Sequence, residues 1–261
     1  ARKPYSVSQS HRKFSEAISG RAIELIVTSP LGLVPRELER IYPASHYDIP
    51  VTGHWDREEL AFTAGIVAAF LTKHPFRRII AHLEGGALEA ARIAADNAGI
   101  TMEESCTTRP TAGESIGSLG SLLEGERPVK QDTVRGTLSW QFGVKVDTSG
   151  MSMRWKPPHL MVRRGKDPLF SLDPGTGLLR PTFGGWKHIH GVYRVRIDDF
   201  IPQGDILAPG ILAADPEIRE GDEVLVEGPR ALATGRAAMG AAEMLSSKRG
   251  VAVRVRKVLK D

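Results

Sequence analysis

Cysteine is almost absent from this sequence: Cys106 is the only one in 261 residues. A single thiol excludes a disulfide within the chain and a zinc site built from four cysteines. Cys106 follows Glu103 and Glu104, whose negative charges disfavour a thiolate, so we expect a structural cysteine rather than a nucleophile. The scarcity of cysteine favours a cytoplasmic protein.

Long apolar runs are missing as well. No run approaches the roughly 18 residues that are needed to span a bilayer. The N-terminal stretch ARKPYSVSQSHRKF lacks the apolar centre of a signal peptide. The first residue is Ala rather than Met, which predicts a fragment or processed piece of something longer. The composition therefore predicts no membrane partner and no secretory leader.

Charge is modest in total but unevenly distributed. The formal net charge is +4, yet Lys130 to Arg196 contains twelve Lys/Arg against four Asp/Glu, which leaves the remainder at −4. Trp155 and Trp186 lie within this basic region. Cations interleaved with aromatic rings are typical of RNA-binding surfaces, although a solvated basic face is the simpler alternative. The final strand alternates apolar residues with Arg254 and Arg256, which again suits RNA but is also common on barrels. The candidate RNA contacts are Arg163, Arg164, Lys187, Arg254 and Arg256.

The first 125 residues read as an α/β domain. Apolar runs at Ala22–Val27 and Arg78–Leu83 predict strands, and His46–Val51 predicts a weaker one. Pro35 opens a predicted short helix. Asp56 and Glu59 have capping-box spacing before a helix that is apolar nearly all round and must end before Pro75. A further helix ends at Gly99. This alternation predicts three layers around a parallel sheet.

Two smaller domains are predicted after it. Residues 126–193 contain many Gly, Pro and aromatic residues, and the run TLSWQFGVKV predicts a strand in a small α+β domain. Residues 194–261 contain short strands broken by Gly and Pro, one helix near Gly240–Ser247 and a final strand. That pattern predicts a small β-barrel.

A ligand crevice is predicted where the parallel strands end. The loops Thr28–Leu33, Thr52–Asp56 and Glu84–Gly86 follow predicted strands, and their glycines permit close approach of a ligand. The candidate substrate-binding residues there are Ser29, Gly32, His46, Glu84 and Gly85. Asp48 is a candidate for binding a base edge or a cationic amine. Alternatively, Asp48 caps a turn and the glycines only close loops.

The histidines are the candidate proton carriers. His11, His46 and His54 suit acid–base catalysis, although an ordinary surface or core role is the simpler reading for each. His188 and His190 would face one side of a strand, but no third ligand accompanies them, so no metal site is predicted.

Two stretches carry a resemblance to known families. The segments GDILAPGIL, IREGDEVLV, ATGRAAMGAAEM and GVAVRVRKVL resemble a PUA domain, an RNA-binding barrel of RNA-modifying enzymes. The segments GTLSWQFGVKVD and LLRPTFGGWKHI are similar to the domain that precedes PUA in archaeal tRNA-guanine transglycosylase relatives. The segment PLGLVPRELERIYPASHYDIPVTGHWDREE resembles the archaeosine synthase family. Lys3-Pro4-Tyr5, Ser8 and His11 match the second half of that family's Pro-Cys, Lys-Pro-Tyr, Ser, His signature.

This resemblance implies a tRNA-modifying enzyme. The family converts the nitrile of 7-cyano-7-deazaguanine in the tRNA D-arm into an amidine, with lysine, glutamine or ammonia as the nitrogen source. Some members hand a lysine adduct to a radical-SAM partner protein. No cofactor is implied for this chain. The catalytic set carried over is Lys3 to stabilise charge, Tyr5 or His11 to deliver a proton and Ser8 to position, with Asp48 added as the candidate for binding the amine.

Part of the family pattern is missing. The Pro-Cys pair would precede Ala1, and Cys106 does not fit it. The chain resembles the C-terminal half of the family, so an N-terminal half or split subunit is an expected partner. Two alternatives therefore stay open: a tRNA-binding module with catalysis elsewhere, and a base-exchanging transglycosylase.

Overall fold

A computed structural model of the chain describes residues 5–47, 54–129, 132–156 and 159–260. The chain divides into two compact units, residues 1–133 and 134–261. Within those described ranges, no helix combines the length and apolarity needed to cross a bilayer.

The first unit combines helices with two short sheets, which confirms the mixed α/β class. Its helices are α1 (Gln9–Ile18), α2 (Arg57–Lys73), α3 (Gly85–Ala98) and α4 (Gly113–Leu122), with 3-10 turns at Tyr5–Val7, Arg36–Leu38 and Ala44–His46. Its strands are β1 (Leu25–Thr28), β2 (Gly32–Pro35), β3 (Ile80–Ala81) and β4 (Glu103–Glu104).

The strand pairing differs from the single parallel sheet that we predict from the sequence. Only β3 and β4 pair in parallel among the described strands of this unit, whereas β1 and β2 form an antiparallel hairpin. Gly32 closes that hairpin at φ 74, a backbone conformation that glycine adopts readily. The helix predicted from Pro35 is only a 3-10 turn, and His46 lies in another such turn rather than in a strand.

Helices α2 and α3 follow their local sequence signals closely. The Asp56 carboxylate accepts from the Glu59 N–H at 2.9 Å, and Glu59 accepts from the Asp56 N–H at 3.1 Å, so the capping box is confirmed. Helix α2 ends before Pro75, and α3 ends at Gly99 with φ 65. Although α2 is apolar nearly all round, it is not buried on every side, because Phe62 is 56% exposed. The helices share an apolar core of Ala64, Val67, Leu71, Ala90 and Ala94.

A close approach between α3 and Trp55 makes Gly86 a sensitive position. A Cβ on Gly86 would overlap the Trp55 side chain, which packs in the core of α2 and α3. We therefore expect Gly86→Ala to destabilise the first unit by about 2 kcal/mol through overpacking. Thermal unfolding of the variant measures the effect. Gly65→Ala on α2 is the matched control, because a Cβ there meets no atom within 4 Å. That change should be neutral or stabilise by up to about 1 kcal/mol, so equal behaviour of the two variants would contradict the prediction.

The second unit begins with a helix where the sequence suggests a strand. Helix α5 (Thr133–Phe142) spans most of TLSWQF, and its buried side chains recur at helical spacing in Val134, Leu138 and Phe142. It covers an antiparallel sheet of four strands together with the short helix α6 (Phe183–Trp186). The strands are β5 (Met151–Lys156), β6 (His159–Arg164), β7 (Asp167–Leu172) and β8 (Leu179–Pro181), in that order.

The remainder of this unit is the nearly closed barrel that the sequence predicts. Its strands are β9 (Arg194–Ile197), β10 (Ile206–Leu207), β11 (Ile211–Ala214), β12 (Glu223–Glu227), β13 (Ala231–Ala237) and β14 (Val251–Lys260). Their order in the sheet is β10-β14-β13-β12-β9-β11, and α7 (Ala241–Ser246) lies where a helix is expected. A 3-10 turn at Ala208–Gly210 joins β10 and β11.

The barrel packs directly on the four-stranded sheet. The buried Trp186 indole N–H donates to Thr234 Oγ1 at 3.0 Å, so α6 is fixed to β13. Leu225 of β12 belongs to the same apolar cluster as Val162 and Phe170. The sheet and barrel therefore form one continuous body.

Candidate active site

A cavity of about 1370 Å³ lies within the first unit, and one of its walls is a chain of aromatic rings. Neighbouring rings have centroids 4.9–5.8 Å apart along the whole chain. The order of the rings is Tyr47, Tyr5, His11, Phe14 and His82. The rings of Tyr5 and Tyr47 are stacked and the other neighbouring pairs are tilted or edge-to-face, so the wall offers several aromatic surfaces, which suits a heterocyclic ligand.

Tyr5 anchors the motif segment to the hairpin. Its side chain is 3% exposed, and its hydroxyl donates to Thr28 Oγ1 at 2.7 Å. Burial raises its pKa well above the usual range. The hydroxyl is therefore protonated and already engaged, which favours a positioning role over proton delivery.

The end of β1 is tied to α2 by a short polar network. Tyr47 donates its hydroxyl proton to the Ser29 carbonyl at 2.6 Å. The Ser29 hydroxyl donates to Glu59 Oε1 at 2.7 Å. Glu59 thus joins the cavity wall to the first turn of α2, in addition to completing the capping box.

His11 lies on α1, one turn before Phe14, and lines the cavity. Burial lowers its pKa to about 4, and the positive charge of Arg36 adds to the shift. The imidazole is therefore neutral near pH 7. A neutral imidazole accepts a proton at one nitrogen and donates one at the other, which suits transfer of a proton between two nitrogens of a substrate.

His82, at the end of β3, was not singled out in the sequence. Its Nε2 contacts the Pro110 carbonyl at 2.8 Å, so that nitrogen carries the proton. Its Nδ1 lies 2.9 Å from Ser105 Oγ and 3.5 Å from Cys106 Sγ. Burial lowers the pKa of His82. Both ring nitrogens are occupied, so His82 holds the loop after β4 against the cavity rather than facing a substrate.

Cys106 is a poor nucleophile here. Burial raises the pKa of its thiol, and the charge of Glu84 raises it further. This agrees with a structural cysteine.

The predicted site residues divide into three groups. Those that line the cavity are Tyr5, His11, Ser29, Glu84 and Gly85, joined by His54. Those that are described but lie off its lining are Ser8, Gly32 and His46. Lys3 and Asp48 fall outside the described residues.

Local contacts explain the residues that lie off the cavity. Ser8 is buried at the start of α1, with its hydroxyl 2.9 Å from that of Ser10. A Cβ on Gly32 would overlap Ile66, so this glycine permits close packing on α2. His46 contacts Ser45 Oγ at 2.9 Å.

Simple sequence signals could have found the missed wall residues. Phe14 follows His11 by three positions on one helix, which places both on the same face. His82 is a polar residue at the carboxyl end of a buried strand, where ligand crevices form. Tyr47 lies between His46 and Asp48, which are both candidate site residues.

The candidate RNA contacts all lie in the second unit. Arg164 and Lys187 are exposed, and Arg163 is half-buried with Nε 3.1 Å from Met161 Sδ. Arg254 is exposed on β14, and it makes no ion pair within the described part of the chain. Arg256 differs, because its guanidinium donates to the buried Glu223 carboxylate at 2.6 Å. Across the described ranges, no three His, Cys, Asp or Glu side chains are grouped as metal ligands.

Two family models match parts of the chain. Residues 1–123 match a family described as a domain of unknown function (DUF5591), and residues 193–259 match the PUA domain. The chain is similar over 99% of its length to the crystal structure of AF0587, a protein of unknown function, with 30% identity and a TM-score of 0.80. It covers 91% of that protein.

Two curated relatives carry a functional name. Archaeosine synthase subunit alpha of Methanosarcina acetivorans is 40% identical across 100% of this chain and 45% of its own length. Archaeosine synthase of Haloferax volcanii is 40% identical across 99% of this chain and 47% of its own length. The chain thus spans about half the length of the curated relatives that it matches. Over nearly its whole length the chain is therefore similar to archaeosine synthases, and it contains a DUF5591 domain and a PUA domain.

Proposed function

We propose that this chain adds an amine to the nitrile of 7-cyano-7-deazaguanine in the tRNA D-arm, as a step of archaeosine formation. The observation that supports this most directly is the cavity in the first unit. It brings Tyr5 and His11 of the Lys-Pro-Tyr/Ser/His motif onto a wall of contacting aromatic rings beside Ser29 and Glu84. The similarity to archaeosine synthases supports the nitrile of a tRNA base as the substrate of this cavity.

The chemistry needs one new bond and one proton transfer. The amine nitrogen attacks the nitrile carbon, one π bond of the nitrile becomes a lone pair on its nitrogen, and an amidine results without a leaving group. The attacking nitrogen loses a proton while the nitrile nitrogen gains one. Neutral His11 serves both transfers, because its ring accepts at one nitrogen and donates from the other.

The other residues bind or position. The aromatic wall stacks the base, and the exposed Glu84 carboxylate accepts from the N–H donors of its edge. Lys3 and Asp48 keep the roles expected from the sequence, which are charge stabilisation and amine binding. Ser8 positions the start of α1.

The barrel and the basic residues of the second unit bind tRNA. Arg163, Arg164, Lys187 and Arg254 are the proposed phosphate contacts, because guanidinium and ammonium groups release counterions when they neutralise phosphates. Arg256 is already paired with Glu223, so its contribution is smaller.

The test is direct conversion of the base. The chain is incubated with tRNA bearing the cyano base and with ¹⁵N-labelled lysine, glutamine or ammonium in separate reactions, and the nucleosides are examined by mass spectrometry. A labelled mass gain with one donor supports the proposal and identifies the amine. Unchanged nucleoside together with tight, salt-sensitive tRNA binding instead favours a binding module, whose catalysis lies in the half of the relatives that this chain does not span. Release of a free base would indicate transglycosylation.

A further inference from the structure

The outer face of the four-stranded sheet carries arginines in a defined register. One side of the sheet is covered by α5 and α6, with Val162 and Phe170 fully buried. Side chains of neighbouring residues on a strand point to opposite faces of the sheet. The residues that alternate with Val162 and Phe170 therefore point to the uncovered side. Cross-strand pairing there aligns Arg154, Met161, Ser171 and Arg180 in one row across β5 to β8.

Arg163 extends this row along β6. It lies two positions from Met161, and its Nε contacts Met161 Sδ at 3.1 Å, which places both side chains on the same face. Ser152 pairs with Arg163 in register. These positions hold three arginines, two serines and a methionine, and the Asp173 carboxylate pairs with one of the arginines, Arg180. A solvent-facing sheet surface normally mixes both charge signs, so Arg154 and Arg163 give this face an excess of positive charge.

The barrel carries a second row of charged residues. Glu223, Arg236 and Arg254 are aligned in register across β12, β13 and β14. Arg236 and Arg254 are exposed, whereas Glu223 is 3% exposed. Arg256 donates to Glu223 from β14.

Glu223 marks where the two rows meet. Burial raises the pKa of its carboxyl, and the charges of Arg256, Arg180 and Arg236 oppose that rise. The end of β8 also contacts the barrel directly, because Thr234 Oγ1 on β13 donates to the Pro181 carbonyl at 3.4 Å, which brings Arg180 beside the row that contains Glu223. Arg180 also pairs with Asp173 at 2.7 Å. The two acids neutralise the junction, and the arginines that have no carboxylate partner among the described residues lie to either side of it.

We propose that Arg154, Arg163, Arg180, Arg236 and Arg254 form one arginine track across sheet and barrel, which binds the sugar-phosphate backbone of RNA. The row across β5 to β8 spans about 14 Å, because three spacings of roughly 4.8 Å separate four neighbouring strands. This inference rests on the proposed function in taking tRNA as the RNA, and it adds Arg154, Arg180 and Arg236 to the phosphate contacts proposed above, joined into one surface across the sheet and barrel.

The chemistry of the track favours phosphates over bases. Guanidinium groups donate two parallel hydrogen bonds to a phosphate, and serine hydroxyls add further donors. Base-reading sheets in RNA-binding domains rely on exposed aromatic rings, and the described side chains of the two rows include none. Binding by the track is therefore expected to be independent of sequence and sensitive to salt.

The test removes the two sheet cations that have no acid partner in the track. The variant Arg154→Gln/Arg163→Gln should bind unmodified tRNA transcript about tenfold more weakly at moderate salt. The slope of log affinity against log salt should fall in magnitude by roughly 0.7–0.9 for each lost contact. The variant Lys73→Gln/Arg92→Gln removes the same charge from exposed positions of the first unit and should leave both quantities unchanged.

The outcomes separate the two proposals. Equal affinities for the sheet variant and the unaltered chain would overturn the track, while base conversion would still stand on its own mass-spectrometric assay. Conversely, a chain that binds tRNA through the track but never converts the base would support the track and contradict the proposed chemistry. Equal weakening by both double variants would indicate a general charge effect and overturn the track. Failure of the unaltered chain to bind tRNA would contradict both.

Discussion

Replacing His11 by Ala is expected to lower the rate of base conversion by roughly 10²–10⁴-fold, the usual contribution of a positioned proton carrier. The imidazole lines the cavity, and its low pKa keeps it neutral at the pH where a free amine must attack. Affinity for tRNA should not change, because the proposed RNA contacts lie in the second unit. Single-turnover rates and tRNA binding, measured on the same variant, separate the two effects.

The pH dependence gives a sharper check on His11. Its pKa is depressed to about 4, so the ring stays neutral until strongly acidic pH. The conversion rate should therefore show no His11 titration between pH 6 and 8, near its ordinary pKa of about 6.5. Arg36→Met removes the nearby positive charge and should raise the His11 pKa, which moves the acid limb of the profile toward neutral pH. The exposed His74 at the end of α2 is the matched control, and His74→Ala should retain full activity. Full activity in His11→Ala would place the proton carrier elsewhere.

The stability of the first unit at acid pH should also depend on His11. The folded pKa of about 4 lies below the value of an unfolded histidine, so the unfolded chain binds the extra proton first. The contribution of the neutral His11 ring to the free energy of unfolding is complete above about pH 6.5 and is lost as the pH falls toward 4. His11→Phe should flatten this part of the stability profile of the first unit, because a phenyl ring does not titrate.

Local signals in the sequence predict the helices better than the sheets. The Asp56–Glu59 box and Gly99 each act within one turn of chain, so they specify the ends of α2 and α3 without reference to the rest of the fold. Strand pairing depends on distant partners. The sequence therefore places β1 in a parallel sheet, whereas the turn at Gly32 folds it into a hairpin. The first six residues of the run TLSWQFGVKV belong to helix α5 rather than to the predicted strand, because the buried face of the helix begins at Val134, before the run.

The candidate site shows the same difference between local sequence signals and contacts between distant segments. The motif residues Tyr5 and His11 were found because their spacing along the chain carries the signal. The ring chain through Phe14 to His82 joins segments almost seventy residues apart, and no local pattern records it. The role of Arg256 was also hidden. Alternation along β14 places it beside Arg254 as an RNA contact, but its cross-barrel partner Glu223 is visible only in the fold.

That hidden pairing predicts the second large effect. The Glu223 side chain is 4% exposed, and Arg256 at 36% exposure is its hydrogen-bonded counterion. Arg256→Met keeps the aliphatic stem and removes the charge, which leaves a buried carboxylate without its pair. We expect the second unit to lose about 2 kcal/mol at neutral pH, less than for a fully buried pair because solvent screens the arginine. Thermal unfolding measures the loss of stability, and hydrogen exchange shows whether β12 and β13 are the strands that lose protection.

Two further variants make this expectation specific to the ion pair. Arg254→Met removes an exposed arginine from the same strand and should change stability by no more than about 0.5 kcal/mol, while weakening tRNA binding. Arg256→Met combined with Glu223→Gln should recover most of the loss, because the buried group then carries no charge. The loss in Arg256→Met alone should also shrink as the pH falls, since burial raises the pKa of Glu223 and the protonated carboxyl needs no counterion. A loss that is independent of pH and persists in the double variant would mean that Arg256 stabilises the barrel through packing of its stem instead.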